Sequence, residues 1–251
     1  MMTKLKNLSL IKKILLLLLL ILFICVSGFL IWASLTFDAT SELKEQVNIE
    51  EIHQEDSWMI FAKDTYTQQE GIIIYPGAKV EPEAYSYLGQ ELANQGYLVA
   101  IPSVTLNLSI FNLNKAEEII SEYPNLEWYI GGHSMGGAAA AMFADEHLDL
   151  IEGLFFLGSY PGGSVDLSQE SLPVLSIYGE LDGLSTPEKV DAAAPLLPPD
   201  TFYEEIIGGN HAQFGWYGEQ KGDNPAQIST IEQQDQIIDA LLSWLESLEN
   251  E

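Results

Sequence analysis

The feature that most constrains this chain is a series of short runs, almost wholly apolar, separated by amphipathic stretches. Gly71-Ile72-Ile73-Ile74-Tyr75, Tyr97-Leu98-Val99-Ala100-Ile101, Leu154-Phe155-Phe156-Leu157 and Val174-Leu175-Ser176-Ile177-Tyr178 lack the polar alternation of a sheet with one wet face. Strands of that kind are covered on both sides, and a sheet so covered is mostly parallel with helices crossing over it. Trp58–Ala62, Trp128–Gly131 and Phe202–Ile207 read as further strands. Helices are expected over Glu83–Asn94, Asn112–Tyr123 and Met135–His147, and in a final segment opened by the capping box Ser229/Glu232. The expected fold is α/β, a doubly wound, mostly parallel sheet with helices on both faces and no large lid domain.

Before this body lies a different kind of segment. Ile14–Leu35 is almost wholly apolar and uncharged, and its twenty-two residues at ~1.5 Å rise span ~33 Å, enough to cross a hydrocarbon layer of ~30 Å. Lys4, Lys6, Lys12 and Lys13 precede it, while Asp38, Glu42 and Glu45 follow. That asymmetry puts the N-terminus in the cytoplasm and the body outside as a single-pass cell-membrane protein. The competing reading is a cleaved signal and secretion, with small residues near Val26-Ser27-Gly28. Cys25, the only cysteine, follows Phe23-Ile24 and so lacks the small residue that lipoprotein processing prefers. The expected organisation is an anchor or signal over 1–35, a polar stalk over 36–56 and the α/β domain over 57–251.

Thirty-seven acidic residues face ten lysines, leaving 31 excess negative charges (37 against 6) outside the leading segment. A field of that sign repels nucleic acid and anionic headgroups, so no nucleic-acid partner is expected. The body holds no thiol, which excludes a disulfide, a thiolate metal site and a cysteine nucleophile there.

Gly132-His133-Ser134-Met135-Gly136 joins a strand to a small-residue helix. A sharp turn of that type lifts Ser134 out of the backbone as a nucleophile, with the glycines avoiding collision. A serine hydroxyl needs a base. His53 lies in the stalk, His133 is held in the turn itself and His147 ends a helix, which leaves His211 in Gly208-Gly209-Asn210-His211. The acid that orients it is Asp182 in Gly179-Glu180-Leu181-Asp182-Gly183, with Glu180 as runner-up. An oxyanion would be held by the N–H of Met135 and, from the loop after Gly71–Tyr75, by that of Ala78, with Gly77 as alternative. Leu106, Leu108, Ile110, Phe111, Tyr160, Phe214, Trp216 and Tyr217 are candidate pocket residues.

The combination of Tyr75-Pro76-Gly77-Ala78-Lys79-Val80 with Gly131–Gly137 and Gly209-Asn210-His211-Ala212-Gln213-Phe214 resembles the α/β-hydrolase superfamily, in its lidless branch known as alpha/beta hydrolase fold-5, related to dienelactone hydrolase-like proteins. The resemblance covers roughly residues 57–250 and implies a Ser-Asp-His hydrolase. Dienelactone hydrolases use cysteine where this chain has Ser134, so lactone hydrolysis is not implied. The expected activity is a serine carboxylic-ester hydrolase acting on a small acyl ester through an acyl-enzyme, with no metal or organic cofactor. The alternatives are acyl transfer or peptide cleavage at the cell envelope, or a non-catalytic binding protein on the same fold.

Overall fold

The computed structural model describes residues 9–47, 52–55, 57–62 and 69–248. It divides into two units, residues 1–36 and Phe37–Glu251. The first contains helix α1 (Leu10–Ala33), capped by the Ser9 side chain, which accepts from the Lys12 amide. This helix is long and apolar enough to cross a membrane, a property it shares with signal sequences. Lys4 and Lys6, part of the charge asymmetry, lie outside the described residues.

The body contains an eight-stranded sheet among the described residues. Its strands are β1 (His53–Glu55), β2 (Trp58–Phe61), β3 (Glu70–Tyr75), β4 (Leu98–Pro102), β5 (Glu127–His133), β6 (Gly153–Leu157), β7 (Val174–Gly179) and β8 (Phe202–Ile206), in the spatial order 1-2-4-3-5-6-7-8. β1 and β2 run antiparallel to their neighbours; every pairing from β4 to β8 is parallel. The helices are α2 (Ser41–Gln46), α3 (Ser86–Asn94), α4 (Ala116–Glu122), α5 (Met135–Glu146), α6 (Pro187–Ala193) and α7 (Thr230–Leu248).

Alternation along each strand divides the core into two layers. Ile72 and Ile74 of β3, with Val99, Phe155 and Ile177, pack under Leu88 and Leu92 of α3 and Ile237, Leu241 and Trp244 of α7. Ile73 and Tyr75, with Ala100, Ile130, Leu154 and Phe156, pack under Ala116 and Ile119 of α4 and Ala140, Ala141 and Phe143 of α5. The three β3 isoleucines are fully buried, each contributing about 2 kcal/mol relative to exposure. The capping box forms as expected: the Ser229 amide donates to Glu232 Oε2 at 2.8 Å, and the Glu232 amide returns to Ser229 Oγ.

Three local expectations change. Of the segment read as a polar stalk, residues 37–47 pack with the body, while 48–51 and 56 lie outside the described residues. Phe37 bridges Val80, and α2 buries Leu43, with Val47 beside it, against Trp216. The apolar residues that make this contact are few and set among charges, so no local pattern announces it. Helix over 112–123 begins only at Ala116, because 105–115 is a run of short 3₁₀ turns with positive φ at Leu106 and Asn107. The capping turn Pro82–Tyr85 is likewise 3₁₀ rather than α-helical. The expected strand over 202–207 forms as β8, an edge strand whose residues 202–205 are exposed.

Trp244 docks α7 onto the sheet, its ring meeting Tyr129 edge-on at 5.6 Å between centroids. Trp244→Ala is expected to cost about 3–5 kcal/mol of stability, read as a lowered urea midpoint by circular dichroism.

Candidate active site

β5 ends at His133 and α5 begins at Met135, so Ser134 alone makes the turn, at φ 54° and ψ −119°. A non-glycine residue there is strained and persists only where its surroundings hold it. The Ser134 amide donates to the Leu157 carbonyl at the end of β6 (3.1 Å). The Ser134 carbonyl accepts from Ser159 Oγ at 2.6 Å and from the amides of Gly137 and Ala138. A Cβ on Gly132 or Gly136 would strike the Tyr75 carbonyl, so both positions require glycine for the turn to sit against β3.

Asp182 follows β7 and His211 follows β8, and both are almost fully buried. His211 Nδ1 lies 2.7 Å from Asp182 Oδ2. The second carboxylate oxygen accepts the amides of Leu184 (2.7 Å) and Ser185 (2.6 Å). With Oδ1 occupied by two donors, Asp182 presents Oδ2 to the imidazole, and the tautomer that satisfies the pair carries its proton on Nδ1. Glu180, the alternative acid, instead accepts the Gly208 amide. The Asp182–His211 pair and the Ser134 turn converge on the C-terminal end of β6. A Cβ on Gly158, one residue beyond the Ser134 amide's acceptor, would lie 3.1 Å from Asp182 Oδ2. The ring of His133, next to Ser134, lies 4.6 Å from that of His211.

The loop after β3 separates the two oxyanion candidates. The Gly77 amide donates to the Tyr85 hydroxyl at 2.8 Å, so it is already engaged. That hydroxyl lies 2.9 Å from His133 Nδ1 and, having accepted from Gly77, donates to it. The Ala78 amide has no hydrogen-bond partner among the described residues. Met135 is the first residue of α5, where an amide has no partner within the helix. The Tyr85–His133 link joins residues 48 apart in sequence and was not legible there.

The candidate pocket residues divide. Leu108, Phe214, Trp216 and Tyr217 are buried packing residues, and Phe214 lies nearly parallel to the His133 ring. Leu106, Ile110 and Phe111 are exposed, and Tyr160 is half-buried. The loop of Leu106, Ile110 and Phe111 is tied beside the loop after β3 by Ser109 Oγ donating to the Pro76 carbonyl (2.7 Å) and the Lys79 amide donating to the Asn107 carbonyl (2.6 Å). Among the described residues no cluster of three His, Cys, Asp or Glu side chains is placed to hold a metal ion.

Burial, reinforced by the neighbouring His211 charge, holds the His133 imidazole well below its ordinary 6.5. The folded state therefore resists the proton that the unfolded chain accepts. Its contribution to stability is complete above about pH 6.5 and falls as the pH drops toward the folded value. The denaturant midpoint should decline on acidification from pH 7 to 5, with a shallower decline in His133→Gln.

A family model described as the alpha/beta hydrolase family matches residues 71–235. No curated protein matches the chain. Solved structures do. An alpha/beta hydrolase enzyme from the metagenome of lagoon sediments at Mar Chica, Morocco, aligns with TM-score 0.60 and 16% identity, over 79% of this chain and 99% of that one. A monoacylglycerol lipase from Paleococcus ferrophilus gives 0.58 and 14%, over 76% and 100%. A thermophilic esterase from Thermogutta terrifontis gives 0.56 and 14%, over 76% and 93%. At such identities the structures speak for the fold, and the family match covers well over half the sequence. With its mostly parallel sheet and helices on both faces, the chain belongs to the alpha/beta hydrolase family.

Proposed function

We propose that the protein is a serine esterase with Ser134 as nucleophile, His211 as general base and acid, and Asp182 as the carboxylate that orients His211. The observation that carries this reading is the buried 2.7 Å contact between His211 Nδ1 and Asp182 Oδ2, set beside a serine in a strained strand-to-helix turn. In the first half-reaction Ser134 Oγ bonds to the acyl carbon while His211 Nε2 takes its proton. The ester C–O bond then breaks, and that proton passes to the leaving alkoxide. Water repeats the sequence on the acyl-enzyme and releases the acid. The amides of Met135 and Ala78 receive the negative oxygen in both tetrahedral intermediates, each donor worth ~10²–10³ in rate. No metal or organic cofactor takes part.

An acyl ester is the substrate class the surroundings favour. Residues 92–116 carry no acidic side chain, in a chain that has 37 acids. That stretch includes the exposed Leu106, Ile110 and Phe111, an apolar surface suited to an acyl chain, with Lys115 and Glu118 at its margin. Two of the similar structures are named as an esterase and a monoacylglycerol lipase. α1, with Lys12 and Lys13 toward its N-terminal end, supports a single-pass anchor with the body outside the cell; secretion after cleavage is the other outcome. With an amine or alcohol in place of water the same acyl-enzyme would give acyl transfer.

A fluorophosphonate probe is expected to label the full chain, and Ser134→Ala to abolish both labelling and p-nitrophenyl ester hydrolysis. His211→Ala should lose ~10³-fold or more in kcat. A folded wild type that does not label would favour a binding protein on this fold. Phe111→Ser is expected to raise KM several-fold for octanoyl esters while leaving acetyl esters near wild type, measured on a chain-length panel.

A further inference from the structure

One carboxylate outside the proposed machinery touches both loops that bear it. Asp223 Oδ1 accepts the amide of Gly183, the residue after Asp182, at 2.9 Å. Its Oδ2 accepts the amide of Ala212, the residue after His211, also at 2.9 Å. The next residue completes the pattern from the other side. Asn224 Nδ2 donates to the carbonyl of Leu181, the residue before Asp182, at 3.0 Å. The Asn224 carbonyl accepts from Nδ2 of Asn210, the residue before His211, at 2.8 Å. Two consecutive residues thus grip the neighbours of the acid and of the base on both sides.

We infer that Asp223 is a positioning residue that sets the separation of Asp182 and His211 by holding their two loops with the two oxygens of one carboxylate. This inference rests on the proposed roles of those residues. Asp182 and His211 sit on loops from different strands, and the direct main-chain link between the loops, Leu181 to Gly209 at 2.8 Å, leaves the segments beyond Asp182 and His211 without a mutual restraint. Asp223 provides that restraint across a sequence separation of 40 residues. An amide in its place offers one acceptor oxygen where two are used and turns an NH₂ toward a main-chain N–H, so one of the two bonds must break. The supports from α7 act on His211's loop alone. Gln233 of α7 brackets Asn210, accepting from its amide and donating to its carbonyl, and Gln234 donates to the Gln213 carbonyl. They fix the loop of His211 to α7 and do nothing for the loop of Asp182.

The test compares the full chain in detergent micelles as wild type, Asp223→Asn and Asp223→Ser. It reads the low-field proton resonance of His211 Nδ1–H, the kcat and KM for p-nitrophenyl acetate, and the thermal midpoint. A loosened clamp should broaden or abolish the resonance and lower kcat roughly 10- to 100-fold, with KM within about twofold. A wild-type resonance with unchanged kcat in a folded variant overturns the inference. So does a loss of activity that only follows the folded fraction while the resonance persists. If Asp223→Asn fails to fold, the smaller Asp223→Ser decides by the same resonance. A wild type that shows the resonance yet does not react with fluorophosphonate sinks Ser134 as nucleophile, while the clamp is still judged by the variants' resonance.

Discussion

A serine held at positive φ between β5 and α5 is the constraint around which the body is arranged. The conformation is costly by roughly 1–3 kcal/mol, so its neighbours must over-determine it. They do so from three directions. β6 takes the Ser134 amide through Leu157, and Ser159 ties the Ser134 carbonyl. β3 presses so closely that only glycine fits at 132 and 136. Removing the two-sided burial of β3, β5 and β6 would therefore release the turn as well as the core.

The same sheet explains why the remaining groups arrive where they do. Parallel strands end their loops on one side, so the loops after β3, β5, β6, β7 and β8 collect at a common edge. Several polar groups there are paired. Asp182 has two main-chain donors besides the imidazole, and Tyr85 joins the Gly77 amide to His133. Buried polar groups left single would cost more than these pairs contribute, which favours one arrangement over looser ones.

Much of this was legible in the sequence where the signal is local. Ile72-Ile73-Ile74 declares a strand covered on both faces, and the glycines around Ser134 declare a tight turn after one. The candidates Ser134 and Asp182 came from their places after strands and His211 by elimination among four histidines, and Asp182 and His211 lie within hydrogen-bond distance of each other. What was not legible depends on distant partners. Asp223, Gln233 and Gln234 look like ordinary surface polar residues until the fold brings them to the loops they hold. Leu43 and Val47 are isolated among charged residues, and their burial follows only from Trp216 arriving beside them. Phe202-Tyr203-Glu204-Glu205 has strand character but no local sign that β8 closes the sheet.

That last strand has a consequence for how copies of the protein meet. An open strand offers unpaired amides and carbonyls to any similar strand, and the exposed Phe202, Tyr203 and Ile207 would add to the attraction. Glu204 and Glu205 lie in the same exposed stretch. Two such margins approaching each other would bring four carboxylates together before the first cross-molecule bond could form. The rim of the sheet thus carries its own deterrent against stacking into fibres, built from the acidity that pervades the chain.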